Sequence, residues 1–152
     1  MAAAVLATRA REIDRKRIIV TSSGTSSWHT GQGPNPPSKR VWERAGYSYD
    51  HSASQISAER IQNSDLVLVM DSSNHSDVLA IADPKNHSKI FYLREFDFVQ
   101  NDLQNDLKNE LEVPDPYGLG DDAFERVLEM VERSVDGLLN ALGVAAPSDT
   151  SR

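Results

Sequence analysis

The sequence contains no cysteine. This excludes disulfides, thiolate metal ligands and a cysteine nucleophile carried by these residues. Positive charge is also scarce: 16 Lys+Arg stand against 23 Asp+Glu, for a net charge of −7. A nucleic-acid-binding domain presents a basic face, so no nucleic-acid partner is expected. No apolar run approaches the roughly 18 residues of a membrane-spanning helix, so no membrane partner is expected either. The four histidines, His29, His51, His75 and His87, are scattered. None pairs at helix spacing with a carboxylate, so no metal site is expected. Gly24, Gly31 and Gly33 do not form G-x-G-x-x-G, and neither a Walker A sequence nor a G-x-S-x-G elbow is present. No cofactor is therefore expected. The stretch MAAAVLATRAREIDRKR lacks a long apolar segment and soon becomes highly charged, which reads as a cytoplasmic protein rather than a secreted one.

What remains is an ordinary globular composition. The chain has 152 residues, 39% hydrophobic and 26% charged, which suits one domain that needs no metal or disulfide to hold its core. We read that domain as residues 1–143, followed by a small, polar, disordered tail over 144–152. Ala2 to about Asp14 reads as an alanine-rich helix. Arg17–Thr21 (RIIVT) is a β-branched run and predicts a strand. Ser22–Pro37 is rich in Gly and Pro and predicts a loop. A short helix is expected from about Ser38 to Gly46, and one or two helical turns over Ala58–Asn63. Leu66–Met70 (LVLVM) predicts a strand buried on both faces. A helix over Ser72–Ala82 and a strand over Ile90–Leu93 follow. Asp121–Leu142 is the clearest helix, with Phe124, Val127, Leu128, Val131, Val135, Leu138, Leu139 and Leu142 on one stripe. Gln100–Leu111 reads QNDL-QNDL-KNEL, three near-repeats with a thin leucine stripe.

Strands alternating with helices predict an α/β fold with a parallel sheet. Ligands of such folds bind beyond the carboxyl ends of the strands. Two of those ends carry polar runs, Thr21-Ser22-Ser23-Gly24-Thr25 and Asp71-Ser72-Ser73-Asn74. The most informative stretch is Val113-Pro114-Asp115-Pro116-Tyr117-Gly118. Two prolines stiffen it around a single carboxyl, with an aromatic ring two residues on. That arrangement suits a general acid beside a flat substrate. It equally suits an aspartate that only closes a turn. Trp28, in a Ser/Gly-rich loop, reads either as a wall for an aromatic ligand or as a core anchor.

Taken in order, these stretches resemble the low-molecular-weight protein-tyrosine phosphatases. The matching pieces are Ala2–Leu6, Val20–Thr25 with Trp28-His29, Pro34-Asn35-Pro36, Leu68–Asp71 with Ser73-Asn74, Leu93–Asp97, Pro114–Gly118, and the helix from Phe124. The resemblance implies a three-layer α/β/α fold around a four-stranded parallel sheet. It implies hydrolysis of a phosphotyrosine protein, or of a small aryl phosphate, through a cysteinyl-phosphate. Asp115 would then be the general acid, later the base. Trp28 and Tyr117 would hold the phenyl ring. Ser22 and Asp71 would support the phosphate loop from beneath.

The family's Cys-x5-Arg loop and the first, central strand before it are not in this sequence, so the nucleophile is absent. Met1-Ala2-Ala3-Ala4-Val5-Leu6 resembles the residues that follow that loop in family members. We therefore expect an incomplete gene start of an ordinary phosphatase, with this chain itself inactive and aggregation-prone. The alternative is a non-catalytic pseudo-phosphatase that binds or regulates a partner. An arsenate reductase of related fold is disfavoured, since it needs further cysteines. Smaller departures bear on substrate preference: Thr21, Pro37, Ser52, Ser54 and Gly118-Leu119 stand where the family often has other residues.

Overall fold

A computed structural model describes residues 1–13, 18–27, 31–98 and 111–144. Helix α1 spans Ala2–Ile13 and buries Ala4, Val5 and Ala10. Helix α2 spans Pro36–Arg44, two residues earlier than the pattern suggests. The prolines that read as loop sit in its first turn, where their fixed φ is favourable and a missing N–H costs nothing. Asn35 caps it, its Oδ1 accepting the Ser38 N–H at 3.2 Å. Helix α3, Ala58–Asn63, is capped likewise by Ser57. Strand β1 is Val67–Val69, helix α4 is Ser72–Ile81, and strand β2 is Ile90–Tyr92. Two 3-10 segments, Pro84–Lys89 and Leu93–Phe96, flank β2 and carry no clear sequence pattern. Helix α5, Asp121–Ala141, closes the fold.

Strands β1 and β2 pair in parallel, with Val67 opposite Ile90, Leu68 opposite Phe91 and Val69 opposite Tyr92. Helix α4 lies in the crossover between them, as an α/β unit requires. The strand expected over Arg17–Thr21 does not form among the described residues 18–21. The segment keeps a period of two: Ile18 and Val20 are half-buried, while Ile19 and Thr21 are exposed. Ile19 is 91% exposed. β-Branched residues favour an extended backbone, but a strand exists only where a ladder partner takes up its N–H and C=O groups. Beyond this segment a single parallel bridge joins Gly24 to Gln55. The QNDL repeats before Leu111 and the tail beyond Val144 lie outside the described residues.

Two apolar clusters hold the elements together. The larger joins Val5 of α1, Val41 of α2, Leu93 and Val113 to Phe124, Val127, Leu128, Val131, Val135 and Leu139 of α5. The smaller packs Ile61 and Val78 against Val69, Ala82 and Ile90. The stripe read on α5 is buried as expected, except that Leu142 lies just past the helix end and is exposed.

Helix α5 also packs closely on the 3-10 segment Leu93–Phe96. A Cβ on Gly137 would stand 1.8 Å from the Phe96 carbonyl oxygen. One turn away, fully buried Asp97 accepts the Arg133 guanidinium, with Nη2 to Oδ2 at 3.2 Å. Beside Gly137, Asp136 of α5 pairs with Arg9 of α1. Arg9 also donates to the Tyr47 hydroxyl at 2.8 Å, and Tyr47 donates to Glu132 at 2.6 Å.

Two outcomes follow. Gly137→Ala drives a methyl group into the Phe96 carbonyl, so denaturant unfolding should show a loss of about 1–3 kcal/mol. The Tyr47 phenol is pushed up to about 12, first by burial and then by its hydrogen bond to Glu132. Its folded value lies above its unfolded value, so its contribution is intact below about pH 10 and is lost as pH rises through 12. Chemical denaturation at stepped pH should show that loss, and Tyr47→Phe should remove it along with the corresponding phenolate absorbance.

Candidate active site

Three parts of the chain converge on one concavity of about 220 Å³. Met1 brings in the start of α1, and Asn35 and Ser38 bring in the start of α2. Asp115, Pro116 and Tyr117 belong to the loop that leads into α5, and Phe124 and Val127 of α5 supply apolar surface. The placement follows from the core. Val5, Val41 and Phe124 share one cluster, so the N-terminal ends of their three helices are held near one another. The Met1 carbonyl accepts the Ala4 and Val5 N–H groups at 2.9 and 3.2 Å, which starts α1 at the concavity.

The Asp115 loop is anchored where it begins. The Val113 N–H donates to the Met70 carbonyl at 2.7 Å, tying the loop to the carboxyl end of β1. Buried Arg94 donates to the Glu112 carbonyl at 2.8 Å, one residue earlier. Asp115 is exposed, and its Oδ1 accepts the Tyr117 N–H at 3.0 Å. The turn reading of Asp115 is thus realised. It does not displace the other reading, because the same residue lines the concavity. The bond fixes the carboxyl against the Tyr117 backbone. Tyr117 itself is 76% exposed.

Ser22 and Asp71 lie elsewhere on the framework. The Ser22 hydroxyl meets His51 Nδ1 at 3.1 Å, and the Ser54 hydroxyl donates to the Ser22 carbonyl at 3.2 Å. Burial lowers the His51 imidazole below its ordinary value, and the positive α-amino group of Met1 lowers it further. Burial likewise pushes that amino group down to about 6. The Ser22–His51 pair therefore sits within electrostatic reach of the start of α1. The pattern reading missed His51, whose partner is 29 residues away and gives no spacing signal.

Asp71 follows β1 and caps α4, its Oδ1 accepting the Asn74 N–H at 2.6 Å. Glu112 accepts the Ser72 N–H at 3.0 Å, and this bond holds its carboxyl below the usual range. Two carboxylates thus occupy the first turn of α4, where the helix dipole favours them. Trp28 lies outside the described residues. No group of three His, Asp or Glu side chains among the described residues could hold a metal ion. Among the described residues no helix is long and apolar enough to cross a membrane.

The concavity thus offers the Asp115 carboxyl, the Tyr117 ring, the amide of Asn35, the hydroxyl of Ser38 and an apolar base that includes Phe124. Those groups suit the leaving-group side of a reaction on a flat aryl compound, where a carboxyl delivers a proton and a ring stacks. They supply no cysteine thiol.

Comparison with known proteins identifies the family. The sequence pattern described as low molecular weight phosphotyrosine protein phosphatase matches residues 1–147. A low-molecular-weight protein-tyrosine-phosphatase of Streptomyces coelicolor is 33% identical over 144 residues, covering 93% of this chain and 84% of the relative. A crystal structure of a protein tyrosine phosphatase from Entamoeba histolytica, with Hepes in its active site, superimposes with a TM-score of 0.80 at 28% identity. The match covers 93% of this chain and 86% of that one. An arginine phosphatase from Drosophila superimposes with a TM-score of 0.80 at 23% identity, covering 97% and 89%, which shows a shared fold alone.

The cap on α4 can be measured separately from any chemistry. Asp71→Ala should cost about 0.5–2 kcal/mol of stability, and Asp71→Asn, which keeps the acceptor oxygen, should cost much less. Equal losses in thermal or denaturant unfolding would mean that the carboxylate charge matters more than the cap.

Proposed function

Because this chain belongs to the low-molecular-weight protein-tyrosine phosphatase family, we propose that it carries the leaving-group half of a phosphotyrosine phosphatase site on a single domain of residues 1–143. The observation that carries this reading is the meeting of Asp115, Tyr117 and the start of α1 in one concavity. Asp115 acts as general acid toward the departing tyrosine oxygen, then as base for the water that releases phosphate. Tyr117 and Trp28 hold the phenyl ring. Ser22, through His51, and Asp71 support the structure beneath the phosphate. The substrates are phosphotyrosine proteins or small aryl phosphates, and the setting is the cytoplasm, where a phosphatase thiol stays reduced.

The family's chemistry begins with a cysteine thiolate attacking phosphorus. The sequence has no cysteine to supply that thiolate. Loss of a nucleophile costs about 10⁶ in kcat in a serine protease, so the cysteine-free chain is not expected to turn over.

The test uses two proteins. The 152-residue chain should show no hydrolysis of p-nitrophenyl phosphate above background. A chimera that places the family's first strand and Cys-x5-Arg loop before Met1 should gain activity. In that chimera Asp115→Asn should lower kcat by about 10²–10⁴ with little change in KM. Unchanged kcat would remove Asp115 from the acid role, and turnover by the cysteine-free chain would refute the thiolate reading.

A further inference from the structure

The loop that carries Asp115 is held at its base by a buried cation. Arg94 is 6% exposed, and its Nη1 donates to the Glu112 carbonyl at 2.8 Å. A guanidinium is among the groups least often buried, because taking its charge out of water is costly. That charge makes its bond to a carbonyl stronger than one between neutral groups. The mount beneath it is rigid. Leu93, one residue earlier, is fully buried in the α5 cluster. The Arg94 carbonyl accepts the Asp97 N–H at 3.1 Å, and the Asp97 carboxylate is itself bound to Arg133 of α5.

Glu112 is gripped at two points, its carbonyl by Arg94 and its carboxylate by the Ser72 N–H at 3.0 Å. The next residue, Val113, donates its N–H to the Met70 carbonyl at 2.7 Å. From there to Asp115 the chain has few soft torsions. Pro114 and Pro116 fix their own φ and restrict the residues before them, Val113 and Asp115. The Asp115 side chain then closes back on the Tyr117 N–H at 3.0 Å. A stiff segment passes a displacement at its base on to its far end, where a flexible one would absorb it. Three residues span about 11 Å at most, so Asp115 stays close to the anchor that aims it.

We infer that Arg94 is a positioning residue: its bond to the Glu112 carbonyl sets where the stiff loop holds the Asp115 carboxyl. Arg94 is not among the residues that line the concavity, so it acts through the loop rather than on a substrate. The inference rests on the acid role proposed for Asp115. A general acid must stand within hydrogen-bond reach of the departing oxygen. A misplacement of about 1 Å costs about 10²-fold in rate. The ring is held by other side chains, so the effect falls on kcat and leaves KM unchanged.

Arg94→Met keeps an unbranched side chain and removes the donors. In the 152-residue chain it should speed hydrogen exchange over residues 112–117 while α5 keeps its protection. Unchanged exchange there, or an equal loss of protection in α5, would overturn the inference. Kinetics are read in the chimera that carries the Cys-x5-Arg loop, on two substrates. Phenyl phosphate releases a poor leaving group that needs a proton, and p-nitrophenyl phosphate releases one that needs it far less. Arg94→Met should lower kcat on phenyl phosphate by about 10–10²-fold and clearly less on p-nitrophenyl phosphate, with KM unchanged on both. Arg94→Lys, which keeps a charged donor, should recover part of the loss, and it carries the same comparison if the Met variant does not fold. In an Asp115→Asn background the change at Arg94 should cost nothing more, because the two residues act as one unit. Equal losses on both substrates, or losses that add fully to that of Asp115→Asn, would leave Arg94 a structural residue only. Unchanged kcat in Asp115→Asn alone would instead remove the acid role, and this inference with it.

Discussion

The apolar stripe of α5 is the constraint on which the rest of the structure depends. Val5 from α1, Val41 from α2, and Leu93 and Val113 from the segments after the strands all pack in its cluster. Burying each such aliphatic side chain contributes about 1.5–3 kcal/mol. More importantly for the site, each anchor lies within a few residues of a group that lines the concavity. Val5 follows Met1, Val41 follows Ser38, and Val113 precedes Asp115. One helix face thus sets the mutual distances of three chain segments that are far apart in sequence. The concavity is a consequence of that packing.

Polar contacts refine this arrangement with unequal weight. Arg40 with Asp121 and Arg44 with Glu125 make two rungs between α2 and α5 at 3.4 and 3.1 Å. All four side chains are well exposed, so each rung is worth little in water. Their effect is on registry: they match the second half of α2 to the start of α5. The Asp97–Arg133 pair differs, because Asp97 is fully buried. Removing one partner would leave an uncompensated charge beside the Phe96–Gly137 contact, which is costly. The close approach at Gly137 and the buried pair next to it fasten α5 to the end of β2.

The sequence made the elements legible wherever period and length agreed. The stripe from Phe124 to Leu139 reads as an amphipathic helix and Leu66–Met70 as a strand. That strand forms only over Val67–Val69 and is buried only at Val69, with Val67 and Leu68 half-buried because the sheet covers them incompletely. Asn35-Pro36-Pro37 misled because proline reads as loop until its position in a helix is known. Ile18–Thr21 misled for a different reason. Strand propensity is local, whereas a ladder needs a partner, and no property of those residues reveals whether one is there. In the site, Pro-Asp-Pro-Tyr announced itself through backbone stiffness. The role of Asp115 stayed divided between turn and acid, and the structure shows why: the turn bond and the placement at the concavity coexist. His51 was not legible, since it meets Ser22 through tertiary folding alone. The cap role of Asp71 was legible in retrospect as an aspartate before a helical run.

The ion pair between Arg9 and Asp136 joins residues 127 positions apart. Helix α1 leaves the ribosome well before its partner surface on α5 is made. During synthesis the apolar faces of α1 and α2 must wait without their common wall, at roughly 5–20 residues per second. Contacts of such long sequence separation are also closed slowly, because the loop entropy must be lost before they form. Assembly of the concavity is therefore a late event in the life of each new chain, and the interval before it is when the chain most needs a chaperone.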